Sequence, residues 1–370
     1  MLLAVGLIHA MTAHGDDDNE RSTGASAPTV HTPPGLFAEQ LIVEGIHGFN
    51  AAEVTQIGRA VDAAPLTITD GEVYVVHGSG TYDELPLATM VADPAGYGRS
   101  VGSTALATSL SRGVVLAQTT ARLFDLHVGQ LLRVHGGKPL RVAAVVDDRV
   151  VGGYQMAAGR DAPAGLGSHA DYVIVRVPGG QLASREAAIQ HSLPSRRLRF
   201  TLPSSGAYFS PNGDVLTQNQ LDQQFGVFHV RHTSTGIRLD PRWISAYITE
   251  RRIVQLGNVI CARRVMGPLT AAMREITNRG LGKTINTADF IAEGGCWNPR
   301  TVRFGHGMIS HHAWGAAIDI NVGRNPLGAA PRQDPRLVAV MAKYGFTWGG
   351  NWLRHDGAHY EWVGQGETAR

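Results

Sequence analysis

"SHHAWGAAIDI", Ser310–Ile320, is the stretch whose reading decides the fold of the second half of this 370-residue chain. Two adjacent histidines lead into a turn of small residues. A short apolar run follows, broken only by Asp319 between Ile318 and Ile320. Successive side chains of a strand point to opposite faces, so the two isoleucines face a core and Asp319 does not. A carboxylate buried there without a partner would cost several kcal/mol, so it needs a cation or strong donors.

Downstream, "FTWGGNWLRHDGAHYEWVG" (346–364) supplies a second cluster. If "AHYEW" is a strand, His359 and Glu361 share one face, Tyr360 and Trp362 take the other, and Asp356 sits in the turn before it. His312, Asp319 and His359 are then the candidate ligand set. Two imidazoles and one carboxylate suit Zn²⁺ in a catalytic site, where three protein ligands leave a fourth position for water. Asp356, three residues before His359, is placed to take that water's proton. With 16 histidines in the chain a chance pair is expected, so the weight rests on Asp319. Glu361 is read as the group that orients a ligand, with a rival role as base. Trp348, Trp352 and Trp362 are candidates for cleft wall or core. The "HExxH" pattern of helical zinc peptidases is absent.

The two clusters together resemble the M15 peptidases, the VanY-type D-alanyl-D-alanine carboxypeptidases and the phage L-alanyl-D-glutamate endopeptidases. Ser310, His312, Gly315, Ala317 and Asp319 match the first part of the pattern; Asp356, His359, Tyr360 and Glu361 match the second. The resemblance covers roughly the last 120 residues. It implies an α+β, Hedgehog/DD-peptidase-like zinc domain with an antiparallel sheet, acting on peptidoglycan stem peptides. His312, Asp319 and His359 would hold Zn²⁺, Asp356 would be the base, and Ser310 would bind substrate. His311 falls at a variable position and is read as a neighbour. An arginine from "GGCWNPRTVRFG" would stabilise the oxyanion or bind the substrate carboxylate; Arg300 fits that slot and Arg303 competes for it. Asn351 and Tyr360 depart from the residues more usual in the family, Asp and Phe, and neither is a proposed ligand or base.

Around this core the composition is that of a globular protein, 43% hydrophobic and 17% charged. A formal net charge of +2 and the lack of any Lys/Arg-rich block give no electrostatic reason to expect nucleic acid. Glycine, at 45 residues, exceeds the usual share of roughly 7% and points to many turns. The first dozen residues are apolar like the core of a secretory signal, but no basic flank precedes them and no clean cleavage site follows. Residues 1–35 are therefore expected to be a signal or membrane-anchor remnant plus a polar linker; a disordered start is the alternative. Residues 36–195 read as a separate α+β accessory domain of short strands and one or two helices, with unknown partner. Within it "VVLAQTTARLFDLHVGQLLRV" reads as a helix stopped before Gly129 and then a strand; this order resembles the periplasmic core domain of FtsX/MacB-type permeases. Residues 196–240, rich in Ser, Pro, Gly, Asn and Gln, read as a connecting region, and 241–370 as the zinc domain. Cys261 and Cys296 would be core thiols in a reducing compartment; outside a membrane an isolated pair closes a disulfide. The apolar N-terminus favours the disulfide and an extracytoplasmic, secreted or envelope-associated protein.

Overall fold

The computed structural model describes residues 39–161, 166, 170–202, 215–302 and 306–364, a mixed α+β architecture. The expected signal or anchor segment lies outside the described residues, as does Arg303.

Nine strands build the N-terminal part: β1 (Gln40–Phe49), β2 (Leu66–Val76), β3 (Glu84–Ala92), β4 (Val114–Ala117), β5 (Leu131–Val134), β6 (Leu140–Val146), β7 (Met156–Gly159), β8 (Ala170–Arg176) and β9 (Leu198–Thr201). Pairing runs β2–β3–β7–β4–β6–β5 and back to β2, so six strands close on themselves, while β8, β1 and β9 extend one side. Closure explains the composition of β3, "ELPLATMVA", which is buried throughout. Leu85, Leu87 and Val91 fill the ring with Val114, Leu116 and Met156. Ala88, Met90 and Ala92 face the other way, packing with Tyr97 and Leu106 of the helices Pro94–Ser100 and Thr104–Arg112. A strand buried on both faces reads as a continuous apolar run rather than an alternating one.

Two expectations are corrected here. Val114–Ala117 is strand β4 and not the start of a helix, which spans only Gln118–Leu123. The β-branched pair Val114 and Val115 slots between β6 and β7, and burial in a sheet outweighs helical periodicity. Residues 36–200 also hold five helices among the described residues, more than the one or two expected.

The stretch read as a connecting region carries ordered structure. The helix Gln218–Phe225 starts on a capping box made by Thr217 and Gln220. The hairpin β10 (Val230–Thr233) and β11 (Gly236–Leu239) joins the N-terminal sheet where Val230 pairs with Glu84 on β3. Phe225 meets Trp362 at 6.0 Å between ring centres, and Phe228 meets Trp314 at 4.6 Å and Trp243 at 5.0 Å. One apolar core therefore runs from Tyr74 through these phenylalanines to Trp362.

Beyond it lie the hairpin β12 (Ile248–Ile253) and β13 (Gly257–Ala262), the helix Arg263–Asn278 and a three-stranded antiparallel sheet. That sheet comprises β14 (Ala317–Asp319), β15 (Phe346–Trp348) and β16 (His359–Trp362), in the order β14–β16–β15. The helix buries Val265, Leu269, Met273 and Ile276 on one face, as its spacing predicts.

Strand β2 grips the segment that leads to Ser310. The Glu72 amide donates to the His306 carbonyl at 3.0 Å, the Tyr74 hydroxyl to the Gly307 carbonyl at 2.7 Å, and the Ile309 amide to the Glu72 carboxyl at 3.4 Å. Glu72 and Asp222 are both buried, and burial pushes each up to about 8. Their folded values lie above the unfolded ones, so their contribution to stability is complete below about pH 4 and is lost as pH rises through about 8. Urea midpoints measured between pH 5 and pH 8.5 should fall on the alkaline side, and Glu72→Gln should flatten that slope. An unchanged slope would show that Glu72 does not contribute to it.

Candidate active site

The path from Arg300 to Asp319 is fixed by backbone. The Ser310 amide donates to the Arg300 carbonyl at 3.0 Å, and Thr301 bridges Ile309. His311–Trp314 then form one 3₁₀ turn that ends at Gly315 in the left-handed region, φ 67°. A β-carbon there would lie 2.5 Å from the Ala262 nitrogen, so this turn requires glycine. Strand β14 follows, with Asp319 opposite His359 and Ala317 opposite Glu361 on β16. On its other side Asp319 exchanges backbone hydrogen bonds with Gly295, at 2.9 and 3.3 Å. Ile318 and Ile320 are fully buried, and the Asp319 side chain turns away from them, about one quarter exposed.

His312, Asp319 and His359 converge. His312 Nε2 lies 3.3 Å from His359 Nδ1 and 3.2 Å from Asp319 Oδ2; His359 Nδ1 lies 2.9 Å from Asp319 Oδ1. The outer nitrogens set the tautomers. His312 Nδ1 is 2.7 Å from the Cys296 carbonyl, which can only accept, so that nitrogen carries the hydrogen. His359 Nε2 is likewise 2.9 Å from Glu361 Oε1. In its neutral form each ring thus turns a lone pair toward Asp319. Three acceptors facing one another need a cation, and tetrahedral zinc ligands at about 2.0–2.1 Å stand roughly 3.3 Å apart, which these distances fit.

The carboxylates around the rings favour positive charge at this point. Burial would raise Asp319, but His312 and His359 outweigh it and hold the carboxyl well below the ordinary range. Burial would lower His359, yet Asp319 and Glu361 push it up to about 10. Glu361 is held well below its usual value by His311 and His359 despite its burial. It bridges the two rings, with His311 Nδ1 2.6 Å from Oε2. Asp356 shifts the other way: burial raises it, the neighbouring Asp319 charge adds to this, and His359, His312 and Arg300 oppose it. Asp356 therefore lies within electrostatic reach of the three converging groups and of Arg300.

Ser310 is buried beside His312, and Arg300 is half-buried. Cys261 and Cys296 are joined in a disulfide, Cα atoms 5.3 Å apart. Because Cys296 also supplies the carbonyl that orients His312, the disulfide anchors the residue that holds this ring. Replacing both cysteines by serine should cost about 2–4 kcal/mol in chemical denaturation and weaken metal binding; unchanged stability and affinity would contradict that role.

Two features escaped the sequence reading. The Cys296 carbonyl is a backbone group with no residue signature. His311 is tied to Glu361 and is more than a neighbour, although it is not among the three facing groups; its adjacency to His312 was the available signal. Trp352 lies 5.1 Å from the His359 ring, while Trp348 bonds the Gly357 carbonyl at 2.9 Å and Trp362 is buried in the core.

Comparison with known proteins adds a family. Residues 305–362 match the family model Peptidase_M15_4, D-alanyl-D-alanine carboxypeptidase. No curated protein matches the chain. Among solved structures, the chain is similar to the extracellular domain of the noncanonic ABC-type transporter YknZ from Gram-positive bacteria, at 10% identity and TM-score 0.33, covering 42% of this chain and 93% of that one. It is also similar to a domain of a protein described as a permease from Porphyromonas gingivalis, at 15% identity and TM-score 0.32, covering 47% of this chain and 92% of that one. Those scores are too low to carry an argument about fold. The family match spans His312, Asp319, Asp356, His359 and Glu361, and the C-terminal region of this chain carries a domain of the M15 peptidase family.

Proposed function

We propose that the protein is a zinc-dependent peptidase of D-alanyl-D-alanine carboxypeptidase type, acting outside the cytoplasmic membrane on the stem peptides of peptidoglycan through a Hedgehog/DD-peptidase-like C-terminal domain. The observation that carries this reading is the inward convergence of His312, Asp319 and His359 with a raised carboxyl, Asp356, that feels these three groups and Arg300. Zinc bound there would supply Lewis acidity and bring the pKa of a water to about 7. Asp356 takes the proton released as the scissile carbonyl is attacked and passes it to the departing amine. Arg300 stabilises the oxyanion that develops on that carbonyl, an interaction stronger in the transition state than in the bound substrate. Ser310 binds the substrate beside His312, and Glu361, braced by His311, keeps the His359 lone pair aimed inward. The disulfide supports an oxidising compartment. The N-terminal part, through Glu72 and Tyr74, serves as the support for the segment entering the site.

Purified protein incubated with muropeptides and followed by mass spectrometry tests this. Release of D-Ala, stopped by a chelator and restored by Zn²⁺, is the expected result. Cleavage between L-Ala and D-Glu instead would make it an endopeptidase. No cleavage by zinc-loaded protein would overturn the peptidase reading in favour of a silent zinc module.

A further inference from the structure

A second group of ligand-type side chains lies far from the first in sequence and on other strands. Glu84 opens β3 and pairs through its backbone with Val76 on β2 and Val230 on β10. Its side chain is only 9% exposed. His135, just past β5, is anchored by its amide to the Tyr74 carbonyl at 2.8 Å and brings Nδ1 to 2.8 Å from Glu84 Oε1. His232, on β10, contacts the other oxygen, Glu84 Oε2, through Nδ1. The two imidazoles stack at 4.6 Å between centres, and the Tyr74 ring meets His232 edge-on at 4.4 Å. Potential ligand atoms of all three residues lie within 4.8 Å of one another.

We infer that Glu84, His135 and His232 form a second metal site, for a divalent ion of the borderline class and Zn²⁺ above all, separate from the one at His312. Two imidazoles and one carboxylate are a zinc-type donor set; an all-oxygen cluster would have pointed to calcium or magnesium. A carboxylate this buried requires a charged or metal partner; among the described residues its partners are the imidazoles of His135 and His232, one on each oxygen, with no lysine or arginine. The side chain of His135 is half exposed, so an ion and a completing water can reach the site from solvent. The ligands come from three places in the fold. His232 belongs to the hairpin that precedes the peptidase domain, whereas Glu84 and His135 belong to the closed ring. An ion here pins the hairpin to the ring, at the junction the short Val230–Glu84 pairing otherwise holds.

Zinc stoichiometry of the full chain, stripped with chelator and titrated calorimetrically, tests the site without reference to catalysis. Wild type should bind two equivalents, His312→Ala one, and His312→Ala combined with His135→Ala and His232→Ala none. His135→Ala added alone to His312→Ala, a half-exposed change that leaves the circular dichroism intact, should weaken the remaining equivalent at least tenfold. It should also abolish the rise in melting temperature that Zn²⁺ gives the His312→Ala protein. The proposal fails if His312→Ala binds no zinc, or if its remaining equivalent survives loss of His135 and His232. Failure of the peptidase reading would leave these counts unchanged, so the two are distinguishable.

Discussion

His312→Ala is expected to lose the zinc bound at the C-terminal site and, with it, turnover of muropeptides. The variant removes one of three converging donors and also frees the Cys296 carbonyl that fixed the ring. What remains is a carboxylate and one imidazole, too few for a site that must keep its ion while exchanging water and substrate. Removing a group that only orients a ligand typically costs 10–100-fold in affinity or activity; loss of the ligand itself should exceed about 100-fold. Glu361→Gln provides the contrast, keeping a hydrogen-bond acceptor for His359 but losing the charge that also holds His311, with an expected loss of about 10–100-fold. Metal analysis alongside progress curves separates the cases. Full zinc retention and full activity in His312→Ala would remove it from the ligand set.

Asp356→Asn should behave oppositely with respect to metal. The substitution keeps size and touches none of the three converging groups, so zinc should stay while kcat falls by about 10²–10⁴-fold, the range for loss of a general base. That corresponds to roughly 3–5 kcal/mol of transition-state stabilisation. The pH profile supplies the specific signature. Burial by itself raises the Asp356 carboxyl, and a bound dication would oppose that shift. Activity of wild type should fall on the acid side as Asp356 gains its proton and ceases to act as base, and that limb should vanish in Asp356→Asn. Retained kcat would assign the base elsewhere, with Glu361 the less suitable substitute because both its oxygens are already engaged.

Much of the site was legible because chemistry forces it into the sequence. A carboxylate between Ile318 and Ile320 has few explanations, and the alternation of "HYEW" puts His359 and Glu361 on one face; both rest on a local period of two. The register that sets Asp319 opposite His359 is a tertiary fact, supplied by Gly315 and by the backbone exchange with Gly295. Its determinants are glycines, which mark a turn without saying what the turn approaches. The N-terminal half was harder. Buried β4 runs into the helix after it with no glycine or proline between them, and their boundary depends on partners in β6 and β7 that are distant along the chain. The stretch over 196–240 looked like a linker because Ser, Asn and Gln dominate it. Apolar residues scattered among them, Leu221, Phe225 and Phe228 included, are nevertheless committed to the core.

That commitment bears on how such a catalytic unit can be moved between proteins. Phe228 stands between Trp243 and Trp314, and the Trp314 indole donates to Asp222, which also receives Gln155 of the ring. Trp314 is two residues from His312. A cut at residue 240 would strip an aromatic wedge and a hydrogen-bond partner from the immediate neighbourhood of a metal ligand, leaving apolar surface in their place. The peptidase portion is thus not a portable cassette: a fusion or a shortened version that keeps it working has to carry Gln218–Phe228 along with it.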